Sequence, residues 1–359
     1  MIFGTLGRYF AGRFARALLG VLASVLALIF TLDFVDTLRR AGAVKDASGP
    51  IVAWLAVLHT PIVAEQALPF IVLIAAMAAF LDLSRRLELT VARAAGVSVW
   101  QFLTPPVLVA LACGVAEVLA FNPLSTAMKR QAAALEAKMF GSAARGAGDF
   151  WLRQKTGDGQ TIVHVEGRDL DRDEFMGMEA FNFGPDGAFE QRVNAKTAYL
   201  RDGYWEMRDA EVVTPGDDDT PATVYLLATK LTREQLAQSF VPPETVSFFA
   251  LKPLAEQIRS AGLDATPYIL KRDQLLALPV SLAAMTLVAA CFSLRLFRMG
   301  GVQRMVLGGV AAGFMLYVAT KIIGDLGGAG IVSAPLAAWS PALGGCLFGV
   351  YVLLHQEDG

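Results

Sequence analysis

Long apolar stretches alternate with short polar segments at both ends of the chain. A helix needs about 20 consecutive apolar residues to cross a bilayer. Stretches of that kind run over 16–35, 62–83, 102–121, 274–294, 305–323 and 334–354. The pattern predicts six transmembrane helices in two groups of three, the first within 1–122 and the second within 273–359.

A polar region with a different pattern separates the two groups. Its first part, 123–147, has helical spacing, and its last part, 246–272, is typical of a linker followed by an amphipathic helix. Between them, 148–245 holds short segments in which apolar and polar residues alternate, separated by Asp-Gly turns. This combination indicates antiparallel strands joined by hairpins. We predict a β-jelly-roll domain inserted between the two groups of helices.

The segment AFEQRVNAKTAYL, residues 188–200, shows the alternation most clearly. One face carries Phe189, Val193, Ala195 and Tyr199, and the other carries Glu190, Arg192 and Lys196. A period of two residues predicts a strand that is buried on one side.

The composition agrees with a polytopic membrane protein. Of the 359 residues, 55% are hydrophobic and 18% are charged, which is too apolar for a soluble protein of this length. Cys113, Cys291 and Cys346 all lie in apolar stretches, and the three histidines are far apart in the sequence. We therefore expect neither disulfides nor a metal site.

The basic residues of the short connecting segments predict the orientation, because Lys and Arg are enriched in cytoplasmic loops. With a cytoplasmic N-terminus, the inside segments contain Arg8, Arg13, Arg16, Arg85, Arg86, Arg93, Arg295, Arg298 and Arg304. The outside short loops then contain Arg39, Arg40 and Lys45. We expect both termini in the cytoplasm and the β domain in the periplasm.

Sequence motifs of common enzymes are missing. The chain contains no GxxxxGK[ST] phosphate-binding loop, and no HExxH, GxSxG or CxxC motif. The acidic residues of the β region have no spacing that requires catalysis. We expect a protein that is not an enzyme, that carries no cofactor of its own and that has no nucleic-acid partner.

The segment RRLELTVARAAGVSVW, residues 85–100, lies between the second and third predicted spans. Its spacing predicts a helix within 84–99, with Leu87, Val91, Ala94 and Ala95 toward the membrane or the bundle and Gly96 near its end. Arg86, Glu88 and Arg93 then project elsewhere. Two interpretations remain open: a helix lying on lipid head groups, or a rigid coupling helix that docks into a partner ATPase.

Three motifs together carry a family resemblance. They are FVDTLRRAG after the first span, SRRLELTVARAAGVS after the second, and AEVLAFNP at the end of the third. With the arrangement of three spans, a β domain and three spans, they resemble the LptF/LptG family of lipopolysaccharide export permeases along essentially the whole chain. FVDTLRRAG is more similar to the LptG side of the family.

The resemblance implies a permease subunit of an ABC-type exporter that extracts lipopolysaccharide from the Gram-negative inner membrane. Its partners are expected to be an LptF-like paralogue, two LptB-like ATPases that bind the ATP, an LptC-like single-span protein and an LptA-like periplasmic bridge. The coupling helix is then expected to contact the ATPase through Arg85, Arg86, Glu88, Arg93 and Gly96, with Glu88 reaching into the ATPase groove.

The resemblance suggests a function for the basic cluster Arg39, Arg40 and Lys45 just outside the first span. Lipopolysaccharide carries phosphates, and guanidinium groups bind phosphate bidentately, so Arg39 and Arg40 become candidate lipid A ligands. The alternative is a solvated juxtamembrane pair. Asp33 departs from the family pattern, in which this position is basic, so the phosphate contact has moved or the head group differs.

Other ionisable residues lie in or near the predicted spans and are costly there unless they are paired or face water. Lys321 is a second candidate phosphate ligand, although snorkelling toward the interface beside Asp325 explains it equally well. Lys129 and Arg130, just outside the third span, are further candidates. Glu65 and Glu117 also lie in or near the predicted spans, and the sequence assigns them no role.

Two other classes of function also fit an inserted β domain. A membrane sensor binds a periplasmic ligand, and an envelope-assembly scaffold holds other proteins together. A sensor normally carries a sizeable cytoplasmic output domain, whereas the predicted inside segments are short. This favours transport.

Overall fold

The computed structural model describes residues 4–42, 49–140, 150–156, 159–169, 174–216, 220–229, 242–260, 263–294 and 302–357. The chain divides into two compact units. One contains Met1–Leu135, Ser247–Phe249 and Ile269–Gly359, and the other contains Glu136–Val246 and Ala250–Tyr268.

Nine α-helices occur in the described part of the chain. They are α1 (Thr5–Ala41), α2 (Gly49–Arg85), α3 (Glu88–Ala94), α4 (Val99–Ala116), α5 (Asn122–Phe140), α6 (Phe248–Ser260), α7 (Thr266–Ser293), α8 (Val302–Gly328) and α9 (Ala334–Glu357). A π-helical turn, Glu117–Phe121, joins α4 to α5, and a 3₁₀ turn, Pro243–Thr245, precedes α6.

Six segments of the described chain are long and apolar enough to cross a membrane: α1, α2, the continuous α4–α5 segment Val99–Glu136, α7, α8 and α9. They coincide with the six predicted spans, so the prediction of a polytopic helical membrane protein is confirmed. The apolar stretches extend into flanking helical turns, which makes α1 and α2 37 residues long each.

The helices differ in how much of their surface the chain itself covers. In their most apolar stretches, 56% of α2 and 67% of α7 are buried, against 6% of α1 and 11% of α8. Phe80 of α2, Phe102 of α4 and Leu282 of α7 belong to the resulting core. The apolar surfaces of α1 and α8 are left for lipid or another membrane subunit.

Glycines let the helices of this unit approach closely. Gly114 of α4 lies against Pro279 of α7, and a Cβ atom at position 114 would be 2.5 Å from the proline Cα. In α8, Gly309 lies against Met77, and Gly313 lies against Leu73. These small residues therefore serve packing within the chain.

The second unit is built on one antiparallel sheet. Its strands are β1 (Phe150–Thr156), β2 (Gly159–Asp169), β3 (Glu174–Phe183), β4 (Phe189–Arg201), β5 (Tyr204–Val213) and β6 (Thr220–Ala228), in spatial order β1 to β6. Short turns such as Asp202-Gly203, where the glycine has φ 89°, join neighbouring strands. The inserted antiparallel β domain is confirmed. Because consecutive strands are neighbours, the described strands form a meander and not the Greek-key order of a jelly roll.

A bend crosses the middle of this sheet. The pairing of β3 with β4 and of β4 with β5 skips Gly177, Lys196 and Asp209. Gly177 and Asp209 have φ values of 61° and 50°, in a left-handed region that non-glycine residues rarely adopt. Such irregular positions let the strands of one sheet change direction.

The bend changes which residues of β4 point into the core. Val193 and Ala195 are buried before the bend, and Ala198 and Leu200 are buried after it. The uninterrupted alternation predicted from the sequence placed Tyr199 on the buried face, and this is wrong, because the bend shifts the alternation by one residue.

The two edge strands of the sheet come together at Gln154. Gln154 of β1 is 3% exposed and its Nε2 donates to the carbonyl of Ala228 at 3.2 Å. Its Oε1 accepts from the Thr229 hydroxyl at 2.7 Å. The sheet therefore curls until its edges touch, around a core that contains Trp205 packed edge-on against Phe175 with ring centroids 5.1 Å apart.

Replacing Gly114 by Ala tests the close contact between α4 and α7. The added methyl group must displace the Pro279 backbone, so we expect a loss of about 1–3 kcal/mol of stability, as for other overpacked cores. The measurement is the thermal midpoint of the detergent-solubilised protein. Gly20→Ala is the control, because a Cβ there meets nothing within 4 Å. Equal midpoints for both variants would contradict the packing.

Candidate functional site

A short helix connects the ends of α2 and α4. After Arg85, the chain turns through Leu87, which has a left-handed φ of 60°, and enters α3. Gly96, with φ 84°, ends α3: its N–H donates to Arg93, and the N–H of Val97 donates to Ala92. This is the Schellman arrangement that favours glycine at this position.

The segment 84–99, within which a short helix ending near Gly96 was predicted, consists of three pieces. Arg85 is the last residue of α2, seven residues form α3, and Ser98 caps the start of α4. The cap is reciprocal: the Ser98 hydroxyl accepts from the Gln101 N–H at 3.3 Å, and the Gln101 side chain accepts from the Ser98 N–H at 3.2 Å. Turns fixed at both ends make α3 a rigid element.

One face of α3 packs against the bundle, and another face is exposed. Leu89 and Ala92 are buried against the bundle, at 5% and 7% exposure. Leu87 and Val91, which the helical spacing had placed toward the membrane or the bundle, are 61% and 67% exposed. Both side chains point away from the bundle, so contact with the membrane stays a prediction, and the left-handed turn at Leu87 was not predicted. An exposed apolar face on a rigid helix is a feature of interaction surfaces.

Glu88 is held by side chains from α1. Its Oε2 accepts from the Tyr9 hydroxyl at 2.8 Å, and its Oε1 lies 3.3 Å from Nη2 of Arg13. Arg13 also contacts Asp82 of α2, with Nη1 and Oδ2 3.4 Å apart, and its Nε donates to the Tyr9 oxygen at 3.0 Å. The carboxylate predicted to reach outward thus fastens α3 to α1 and α2. Nothing in the sequence indicated that Tyr9 and Asp82 belong to this network, because these contacts join residues that are distant in the chain.

The arginines of the predicted coupling helix lie close to this network. Arg86 donates to Asp82 at 3.1 Å, and the guanidinium of Arg93 lies 5.9 Å from the centre of the Phe102 ring. Arg85 is exposed at the end of α2, where a cation complements the helix dipole. The structure brings Arg85, Arg86, Glu88, Arg93 and Gly96 together around α3.

A second group of charged residues surrounds the end of α1. Arg39 is exposed in the last turn, and Nε of Arg40 lies 3.1 Å from Oδ2 of Asp36. Asp33 pairs with His59 of α2, with Oδ2 and Nδ1 3.2 Å apart. Asp33 thus has a partner within the chain. Lys45, which belongs to the predicted basic cluster, lies outside the described residues.

The other candidate phosphate ligands lie on other helices. Lys321 of α8 pairs with Asp325 one turn away, at 3.1 Å, and both side chains are mostly exposed. Lys129 is half-buried and Arg130 is exposed, both on α5. The candidates are thus distributed over α1, α5 and α8, and a single ligand that contacts all of them has to span three helices.

Replacing Arg13 by Ala tests how Glu88 holds α3. The variant removes the guanidinium that contacts both Glu88 and Asp82, and a solvent-screened ion-pair network of this kind contributes modestly to stability. We expect the amides of α3 to exchange hydrogen about fivefold faster, measured by mass spectrometry on the purified protein. Arg16→Ala is the control, because the Arg16 Nε donates to a carbonyl of α1 itself, that of Gly12. Unchanged exchange in Arg13→Ala would show that the network does not brace α3.

Comparison with known proteins supports the interpretation of this architecture. The family model of the lipopolysaccharide export system permease LptF/LptG matches residues 8–355. The lipopolysaccharide export system permease protein LptG of Escherichia coli K12 is 26% identical over 338 residues, 90% of this chain and 91% of that protein. LptG of Haemophilus influenzae is 25% identical over 333 residues, 89% of this chain and 90% of that protein. The chain belongs to the LptF/LptG family of lipopolysaccharide export permeases.

Proposed function

We propose that this protein is an LptG-like permease subunit of an ABC-type exporter. It extracts lipopolysaccharide from the inner membrane and passes it to a periplasmic β bridge, using ATP hydrolysed by a separate subunit. The observation that carries the proposal is α3, a rigid helix between two spans that exposes an apolar face in a member of this family. A helix lying on head groups needs no such fixed turns, whereas a helix that transmits force does.

The ATPase contact is proposed to form on the exposed face of α3. Leu87 and Val91 provide its apolar centre, and Arg85, Arg86 and Arg93 provide a basic rim. Glu88 acts from behind, by fastening α3 to Tyr9 and Arg13, so that movement of α3 is passed to α1 and α2. Because the ATPase is cytoplasmic, this contact is proposed to place α3 and both termini in the cytoplasm and the β domain in the periplasm.

Lipopolysaccharide is proposed to enter beside α1 and α8, whose apolar faces are mostly left uncovered by the other described helices of the chain. The apolar faces of α1 and α8 suit acyl chains or an LptF-like paralogue. The phosphates are proposed to meet Arg39 and Arg40 at the end of α1, and Lys321, Lys129 and Arg130 provide further cations. Asp36 and Asp325 already hold two of these cations in place.

The proposed assembly contains one copy of this chain, its paralogue, two LptB-like ATPases, an LptC-like single-span protein and an LptA-like bridge. We expect this chain to bind no cofactor of its own, and the ATP is assigned to the partner ATPases. The test is co-purification of tagged protein with a paralogous permease and an ATPase, followed by reconstitution and an assay of ATP-dependent lipopolysaccharide extraction. A complex that lacks an ATPase, or one that extracts nothing, would point to a sensor or an assembly scaffold.

Replacing Val91 by Asp tests the docking face. The side chain is 67% exposed, so the substitution leaves the bundle intact and places an unpaired charge at the centre of the proposed contact. We expect the bound ATPase to fall by roughly tenfold or more, as for central interface residues, measured by quantitative co-purification. Leu6→Asp is the control, since Leu6 is an exposed apolar residue of α1, where the first turn of a helix tolerates an acid. Equal loss in both variants would reject the docking face.

Reversing the charges of Arg39 and Arg40 to Glu tests the phosphate contact. Charge-assisted hydrogen bonds to phosphate are worth about 1.5–3 kcal/mol each, so we expect lipopolysaccharide to stimulate the ATPase at least about tenfold less effectively. The rate of ATP hydrolysis in the absence of lipopolysaccharide is expected to stay unchanged. Arg259→Glu, an exposed reversal on α6, is the control. Normal stimulation of the double variant would refute the role of this pair.

A further inference from the structure

A partly buried carboxylate of α2 gathers polar groups from two other helices of its unit, α5 and α7. Oε1 of Glu65 accepts from the Asn122 amide at 3.2 Å and from the Lys271 ammonium at 3.2 Å. Its Oε2 accepts from the Ser125 hydroxyl at 3.4 Å. The side chain of Glu65 is 13% exposed, and that of Lys271 is 23% exposed. We call these four residues the Glu65 cluster.

The Glu65 cluster lies where the chain leaves the membrane helices and where it returns. Asn122 is the first residue of α5, which leads toward the β domain, and Lys271 lies in α7, which follows it. The Asn122 side-chain oxygen also accepts from the N–H of Phe248, at the start of α6, at 2.9 Å. One carboxylate thus connects α2 to both the outgoing and the returning segments.

Helical irregularities surround the same position. Pro61 and Pro69 lie one turn before and one turn after Glu65 in α2, and each removes a backbone donor from the helix. The π-helical turn that begins at Glu117 ends directly before Asn122. Glu117 is 6% exposed, and its Oε1 has no hydrogen-bond partner among the described residues. Prolines and π-helical turns mark the points at which helices bend.

We infer that Glu65 is a positioning residue that makes α2 and the two segments at the β domain move as one body. The other end of α2 leads directly into α3, 20 residues away at Arg85, or about 30 Å along a helix. Without the Glu65 cluster, α2 bends at its prolines and the displacement of α3 is lost there. The inference deepens the proposed function and rests on it.

The experiment separates this positioning role from simple stabilisation. Glu65→Gln or Lys271→Met alone leaves one partly buried charge of the pair without its partner, whereas the double variant removes both charges. We expect the single variants to lower the thermal midpoint and the double variant to recover it. If the role is positioning, the double variant still extracts about fivefold less lipopolysaccharide per ATP hydrolysed, with an unchanged ATPase rate.

Two further variants are the controls. Lys271→Arg keeps the positive charge and is expected to extract lipopolysaccharide normally. Glu256→Gln makes the same chemical change at an exposed position of α6 and is expected to change nothing. A double variant that extracts normally per ATP would overturn the inference, because stability alone would then account for the Glu65 cluster.

A second measurement distinguishes failure of this inference from failure of the proposed function. If the wild-type complex extracts no lipopolysaccharide, the proposed function is wrong, and hydrogen exchange in the purified chain still tests the Glu65 cluster. In the double variant, the amides around Asn122 and around Phe248 are expected to exchange about tenfold faster together, because both lose their common anchor. Unchanged exchange, or a change at only one of the two segments, would overturn the inference.

Discussion

A charge inside a membrane span must find its partner within the protein, because the bilayer core offers none. This constraint organises the helical unit. Glu65 takes Lys271, Asn122 and Ser125, while Asp33 takes His59. Each pairing joins different helices, so these polar groups help to determine which helices are fastened to one another.

The sequence predicted the number and the approximate position of the spans, because apolar length is a property of each segment alone. It also predicted the antiparallel insert, because Asp-Gly turns and alternation are local signals. The bend at Gly177, Lys196 and Asp209 was not predictable in this way. It depends on three strands that change direction together, and an aspartate in a left-handed conformation carries no clear sequence signal.

The candidate site shows the same limit. Gly96 was correctly predicted to end α3, since a glycine after a helical pattern is a local signal. Leu87 and Val91 were predicted to face the membrane or the bundle, and the bundle side of α3 is formed by Leu89 and Ala92, because helical spacing alone does not reveal where a turn reorients the helix. The contacts of Glu88 with Tyr9 and Arg13 span more than 70 residues of sequence. Lys271 was overlooked because it lies just before the fourth apolar stretch, and only the fold places it beside Glu65.

The contact between the edges of the β sheet has a mechanical consequence. β1 and β6 are fastened through the side chain of Gln154, which makes two hydrogen bonds, to the Ala228 carbonyl and to the Thr229 hydroxyl. Neighbouring strands inside the sheet are instead joined by full ladders. Separating the edges at this seam breaks the two side-chain hydrogen bonds of Gln154, each worth about 1 kcal/mol, whereas separating β1 from β2 breaks a backbone ladder, so among these described contacts the seam is the easier place for the curled sheet to widen.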